Sequence, residues 1–311
     1  MPSAYQEARE HAVLFDLSDR GKILVSGPDA RTFLHNLCTN DINGLRPGAG
    51  CESFFATAQA KAVAYGVIFC SESADPESFW LDLDPGLAEK LVKHLDRFII
   101  SEQVELGDRS ADFAQFHVAG PEAKAVVNRA PLGKDCTVRQ WERIGLPGWD
   151  ITWPIAHRES VQKSLLDSGA TLAGQDTYEV LRVEAGMPSY GVDIDENRFV
   201  VEVGRTKQAI SYTKGCYLGQ EPIVMARDRG HVNRTLLGLR ECSATSLPRG
   251  TKLLREGKEV GEVASSVLSA RFGMIALAYI RRGNQEPGTV VEYTTGGTAG
   301  TAVVASLPFS A

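Results

Sequence analysis

The stretch Ile23-Leu24-Val25-Ser26-Gly27-Pro28-Asp29-Ala30 sets the reading of the chain, because it passes from a short apolar run through a glycine turn into helical spacing. Ile23 to Val25 read as a buried strand, and the apolar residues that follow, Ala30, Phe33, Leu34, Leu37 and Cys38, recur at helical period. Pro28 suits the first helical position, where its missing N–H has no partner in any case, and Asp29 suits the positive helix end. The device returns 93 positions later as Phe116-His117-Val118, Gly120-Pro121-Glu122-Ala123 and then Val126, Val127 and Ala130. Two such copies read as an internal repeat, or as a common strand-to-helix junction used twice. Neither copy has the spacing of a phosphate-cradling loop.

Working outward, Val63–Phe69 and Phe79–Leu83 read as strands, and a helix from Asp84-Pro85 turns Leu87, Leu91, Leu95 and Phe98 inward. A later helix opens at Asp176 with Glu179 as a capping box and stops at Gly186-Met187-Pro188. Beyond Thr235 the pattern changes to six short apolar runs between glycines: Leu236–Leu239, Lys252–Arg255, Val260–Ala264, Met274–Ile280, Val290–Tyr293 and Ala302–Ala305. They predict a small β-barrel, with Gly296, Gly297 and Gly300 in a hairpin turn. The expected division is thus 1–232, two interwoven α+β subdomains, and 235–311, the barrel.

The 311 residues, 43% hydrophobic and 23% charged, suffice for two or three packed domains. A net charge of −6 argues against nucleic-acid binding driven by overall positive charge. The first twenty residues mix acids with only Arg9 and Arg20, unlike a signal or transit peptide, and no apolar run approaches membrane-spanning length, so a cytoplasmic protein without a membrane partner is expected. Six scattered cysteines without a Cys-x-x-Cys pair indicate neither a disulfide framework nor a local metal site. The six histidines form no metal motif, and His231, near the cysteine segment, reads as a surface residue.

The densest chemistry lies in Lys214-Gly215-Cys216-Tyr217-Leu218-Gly219-Gln220-Glu221. Glycines on both sides permit a positive-φ path that lifts the thiol to the surface, and Lys214 would favour its thiolate. A buried structural cysteine in a glycine-rich turn is the plainer alternative.

This octet resembles the hallmark of YgfZ-type folate-binding proteins and their mitochondrial iron–sulfur assembly relatives at every position. Phe15-Asp16-Leu17-Ser18-x-Arg20-Gly21, Leu37-x-Thr39-Asn40-Asp41-Ile42 and Arg182-Val183-Glu184-Ala185-Gly186-Met187-Pro188-x-Tyr190-Gly191 are similar to the wider glycine-cleavage T-protein (aminomethyltransferase) superfamily. The resemblance implies an α+β fold, a three-domain ring with a discontinuous N-terminal region around a folate site and a C-terminal small β-barrel. It implies a tetrahydrofolate-type cofactor, iron–sulfur client or assembly proteins as partners, and a folate site drawing on Glu184, Tyr178, Tyr190, Asn40, Asp41 and Arg227. Cys216 and Lys214 become the candidate chemical groups, with Gly215, Tyr217, Gly219, Gln220 and Glu221 as the motif around them.

Glu184 is the candidate for a pterin because a carboxylate accepts paired hydrogen bonds from ring amino and N–H groups; a solvated surface Glu is the alternative. Tyr178 could stack on the ring or fill core. The chain also departs from the superfamily. Where aminomethyltransferases carry an Asp pair, the stretch aligned here reads Tyr65-Gly66-Val67-Ile68-Phe69-Cys70-Ser71, with Glu72 and Asp75 the nearest carboxylates in sequence. General acid–base help of about 10²–10⁴-fold would be missing. Arg205, Lys207, Lys214, Arg227, Arg229 and Arg234 against Glu221 and Asp228 form a basic stretch suited to a folate glutamate tail or a partner protein. The favoured reading is a folate-binding factor for assembly or repair of iron–sulfur proteins with Cys216 as its thiol. A folate-dependent aminomethyl- or methyltransferase and a non-enzymatic scaffold are the alternatives.

Overall fold

The computed structural model describes residues 3–74, 77–230, 232–243 and 247–310, so Asp75 and His231 lie outside the described residues. The chain forms two compact units: Met1–Glu142, Leu146–Gly174 and Arg205–Val224 make one, and Arg143–Gly145, Gln175–Gly204 and Met225–Ala311 the other.

Among the described residues, the first unit holds two five-stranded sheets. One runs in the order Gly50–Ala56, Ala62–Ala74, Glu77–Leu83, Gly21–Ser26, Glu105–Asp108, antiparallel throughout. The other runs Thr171–Leu172, Val13–Asp16, Phe113–Ala119, Gly148–Pro154, Thr137–Gln140, with only its first pair parallel. The helices expected after the two glycine turns span Ala30–Leu37 and Ala123–Arg129. Each starts later than its proline suggests, with Asp29 and Glu122 as the caps. Asp29 directs its carboxylate not at its own helix but at the Gln103 N–H, 2.7 Å away.

The two glycine turns share one backbone geometry. Gly27 has φ +117° and Gly120 φ +129°, and a Cβ on either would stand 2.2 Å from the Gln103 carbonyl oxygen or 2.4 Å from that of His11. Those carbonyls accept the N–H of Asp29 (3.3 Å) and of Glu122 (3.0 Å). Glycine is required twice for one reason: its backbone passes against a neighbouring carbonyl in a region closed to L side chains. Beneath the second copy lies an apolar core of Leu14, Phe116, Val118, Val126, Ile151, Trp153 and Leu165, all fully buried.

The second unit contains the barrel. All six expected runs are strands, Arg234–Arg240, Lys252–Arg255, Lys258–Ser269, Gly273–Arg281, Val290–Thr295 and Thr298–Ala305, closed without an edge. Gly296 and Gly297 form the turn at positive φ, whereas Gly300 belongs to the last strand opposite Tyr293, where a Cβ would strike the ring. The helix Gln175–Glu184 packs in the same unit, with Val183 in an apolar cluster with Leu236, Ile275, Leu277 and Tyr279. It begins at Gln175, so the expected capping box does not form; Glu179 instead accepts from Arg182 Nε at 2.7 Å. No helix among the described residues is long and apolar enough to cross a membrane.

Candidate functional site

The segment Arg205–Gly219 is fastened along its length to the first sheet and its helix. Asn40 donates both amide hydrogens, to the carbonyls of Glu52 (2.7 Å) and Gln208 (2.8 Å). Thr39 donates to the Ala209 carbonyl at 2.6 Å, and Ser211 N–H to the Thr39 carbonyl at 2.9 Å. Leu218 N–H reaches the Asn36 carbonyl at 2.9 Å. Gly219, at φ +81°, lies where a Cβ would stand 2.5 Å from the Thr57 carbonyl oxygen.

Lys214 closes this attachment. Its ammonium donates to the carbonyls of His35, Cys38 (2.9 Å) and Asn40 (2.8 Å), at and just beyond the C-terminal end of the helix Ala30–Leu37, and lies 4.8 Å from the centroid of the Tyr217 ring. Orphan carbonyls and the negative helix end both favour a cation there. Burial depresses the lysine's affinity for its proton, partly offset by Cys38, Asp41 and Cys51. The expectation that Lys214 serves the Cys216 thiolate is therefore corrected: its hydrogen bonds go to backbone, and the thiols acting on it are Cys38 and Cys51.

Cys216 itself is exposed, and the other five cysteines are buried or half-buried. Burial pushes the thiols of Cys38, Cys51 and Cys136 up, and that of Cys242 to about 11. Of the two motif glycines only Gly219 takes positive φ; Gly215 has open space where a side chain would stand. Tyr217 is buried, Gln220 opens the helix Gln220–Arg229, and Glu221 is exposed in its first turn. Asp41 is exposed, with Oδ1 3.3 Å from His35 Nδ1.

The strand Ala62–Ala74 carries a cluster that sequence spacing did not signal. Tyr65 donates its hydroxyl to Glu52 Oε2 at 2.6 Å, and Arg205 forks onto the same carboxylate, Nε to Oε2 at 3.0 Å and Nη2 to Oε1. Glu52 is 8% exposed and stands on the neighbouring strand Gly50–Ala56, opposite Val67 in the stretch Tyr65–Ser71 that has no carboxylate. Burial first, and the Glu52 charge next, push the Tyr65 hydroxyl well above its ordinary range. Sequence reasoning missed the cluster because Glu52 and Arg205 stand 153 residues apart.

In the second unit Glu184 is 3% exposed, which removes the solvated alternative; Ser269 donates to its Oε1 at 2.5 Å. Arg182, also buried, donates to Asp193 Oδ2 at 2.9 Å and to the Met187 carbonyl at 3.1 Å, fixing the turn after the helix. Tyr178 and Tyr190 are half-buried in the same unit. Of the candidate folate residues, Asn40 and Asp41 thus belong to the first unit and Glu184, Tyr178, Tyr190 and Arg227 to the second. Arg227 is exposed and donates to its neighbour Asp228 at 2.7 Å.

The basic stretch does not act as one patch. Arg205 is tied to Glu52, Lys214 to carbonyls, Arg227 to Asp228 and Arg234 to Glu202 at 3.1 Å, and the side chain of Arg229 lies outside those described. Among the described residues no three His, Cys, Asp or Glu side chains gather as a metal site.

Residues 3–142 match the GCVT N-terminal domain, and residues 234–310 the glycine cleavage T-protein C-terminal barrel domain. The chain is 28% identical to a chloroplastic protein of Arabidopsis thaliana over 96% of its own length and 71% of the relative's. An aminomethyltransferase of Desulforamulus reducens is 27% identical, over 89% and 80% of the two chains. The crystal structure of the glycine cleavage system aminomethyltransferase T from Bartonella henselae superposes with a TM-score of 0.90, covering 99% of this chain and 88% of that one at 24% identity, a likeness of fold.

Proposed function

The chain belongs to the glycine cleavage T-protein family, and on that premise we propose that it is a YgfZ-type factor that binds a tetrahydrofolate and supports assembly or repair of iron–sulfur proteins through Cys216. The observation that carries this reading is the exposed thiol on a segment held at every few residues to a rigid sheet. A reactive side chain on an anchored loop is presented to a partner at low entropic cost. A lone thiol suits transient contact with a cluster or a client cysteine rather than storage.

The aminomethyltransferase reading has less support. The stretch Tyr65–Ser71 offers no carboxylate, and Glu52 is neutralised by Arg205. Glu184 fits a pterin by donor set, being a buried carboxylate that accepts a hydrogen bond already. Asn40 does not fit as a folate donor, since both amide hydrogens are engaged by carbonyls.

The test has two arms. Calorimetric titration with tetrahydrofolate should show saturable binding, weakened by about 1.5–3 kcal/mol in Glu184→Gln, the range for a hydrogen bond to a charged group. Cys216→Ser should keep that binding yet fail to sustain iron–sulfur enzymes in cells lacking the native protein. Absence of folate binding removes the cofactor; full complementation by the serine variant removes the thiol.

A further inference from the structure

The second unit also has a groove of about 450 Å³ lined by Glu202, Asn233, Arg234, Arg281 and Arg282. That volume falls within the range of about 300–1,000 Å³ typical of small-molecule sites. Arg234 and Arg281 are directly opposite each other on adjacent antiparallel strands, and Arg282 follows. Like charges facing across a ladder repel. The lining supplies a single acid, Glu202, itself buried and engaged by Arg234 Nε at 3.1 Å. Arg281 is held by Glu259 at 2.9 Å, toward the neighbouring strand.

Arg234 lies 5.8 Å from the centroid of the Tyr279 ring and Arg198 lies 4.0 Å from it, while the Tyr279 hydroxyl donates to the Asp193 carbonyl at 2.9 Å. Arg282 N–H donates to the Asn233 carbonyl at 2.8 Å, joining the two groove-forming segments. Over residues 232–311 the sequence has nine basic against six acidic residues, within a chain of net charge −6. The segment thus carries a positive excess, and three of its arginines stand at this groove, two of them paired with Glu202 and Glu259. Guanidinium forks match the paired oxygens of phosphate and carboxylate.

We propose that this groove is a binding site for a small, multiply charged oxyanion, in which Arg281 and Arg282, with Arg234 behind them, hold two or more closely spaced phosphate or carboxylate groups. The site contains neither Cys216 nor Glu184; of its residues only Arg234 belongs to the basic stretch read from sequence as suited to a folate glutamate tail or a partner protein. A dianion or longer chain relieves the facing arginines, and a monoanion does so only in part.

Isothermal titration of the full chain with inorganic phosphate, tripolyphosphate and a tri-glutamate peptide tests it at two salt concentrations. Saturable binding of at least one multiply charged probe, tighter than that of inorganic phosphate, is expected. It should weaken ten-fold or more in Arg281→Gln/Arg282→Gln and measurably in Arg282→Gln alone, which guards against a folding defect in the double variant. Preference for tripolyphosphate assigns a phosphate-bearing ligand, and preference for the peptide a carboxylate-bearing one. Arg240→Gln, outside the lining, should leave affinity unchanged. Absence of saturable binding, retained affinity in the double variant, or an equal loss in Arg240→Gln would each overturn the site.

Discussion

The two strand–glycine–helix copies share a backbone and part company at the helix end. In the second copy the helix Ala123–Arg129 ends on backbone, the Ala130 N–H donating to the Val126 carbonyl at 3.0 Å, while the exposed Arg129 reaches away to the Ser168 carbonyl at 2.9 and 3.3 Å, at the end of the helix Arg158–Asp167. In the first, the end of Ala30–Leu37 is closed by Lys214, delivered from 179 residues away and half-buried as it donates to three carbonyls. The Tyr217 ring, 4.8 Å from that ammonium, comes with it, and the exposed Cys216 lies between the two in sequence. The difference teaches that one strand–turn–helix geometry can end in two ways without a change in its strands or turns. A charged side chain from elsewhere need only take over the capping of one helix.

The sharpest way to break the equivalence is at the glycines. Gly27→Ala and Gly120→Ala each force a Cβ into contact with a backbone carbonyl at positive φ. Each should cost about 3 kcal/mol or more, combining backbone strain with an overlap that only main-chain movement relieves. Urea unfolding of the two variants should give closely similar losses. A large loss in one and a negligible loss in the other would mean that the copies are alike in outline only.

The helix ends should respond unequally. Lys214→Met keeps the stem but strands carbonyls that the ammonium satisfied, an expected loss of about 2–3 kcal/mol. Arg129→Gln removes exposed hydrogen bonds that water replaces, at a cost of about 1 kcal/mol or less. If chemical denaturation finds the two equal, the lysine at the first helix end is worth no more than an exposed surface contact and the comparison fails.

Much of this architecture was legible from pattern. The barrel runs are strands because each alternates or clusters apolar residues between glycines, and the paired glycine turns advertise themselves by position. What escaped are elements whose reason lies in a partner. Glu105–Asp108, with sequence Glu-Leu-Gly-Asp, has little strand propensity and is a strand because it pairs with Ile23–Ser26. Thr171–Leu172 is likewise exposed and defined by its pairing with Val13-Leu14. At the candidate site, the Cys216 segment stood out by composition, yet Lys214 was assigned to the thiol because the two are neighbours in sequence. The carbonyls that it serves lie on another element, as does the Glu52 carboxylate beside Tyr65. Long-range polar pairs leave no period in a sequence.

The smallest effect is a pH dependence at the helix end of the first copy. His35 is 7% exposed, and burial first, then the charge of Lys214, hold its imidazole below the ordinary value, with Asp41 opposing. In the unfolded chain the ring takes up a proton near pH 6.5, and in the folded protein only at lower pH. Between those values the unfolded state binds more protons. Stability from this group is therefore complete above about pH 6.5 and is lost as pH falls through the folded value, with a limiting slope of about 1.4 kcal/mol per pH unit. His94 is depressed in the same sense by its own burial, so the informative quantity is the difference between proteins. His35→Gln should flatten the fall in urea midpoint between pH 7.5 and 5.5 relative to the unaltered chain. Lys214→Met should flatten it in part, because removing the second cause raises the folded value toward the unfolded one. The second copy's helix has no histidine and supplies no such term. An unchanged pH profile in His35→Gln would show that the lysine at this helix end does not govern protonation there, leaving its hydrogen bonds to the carbonyls as the whole of its effect.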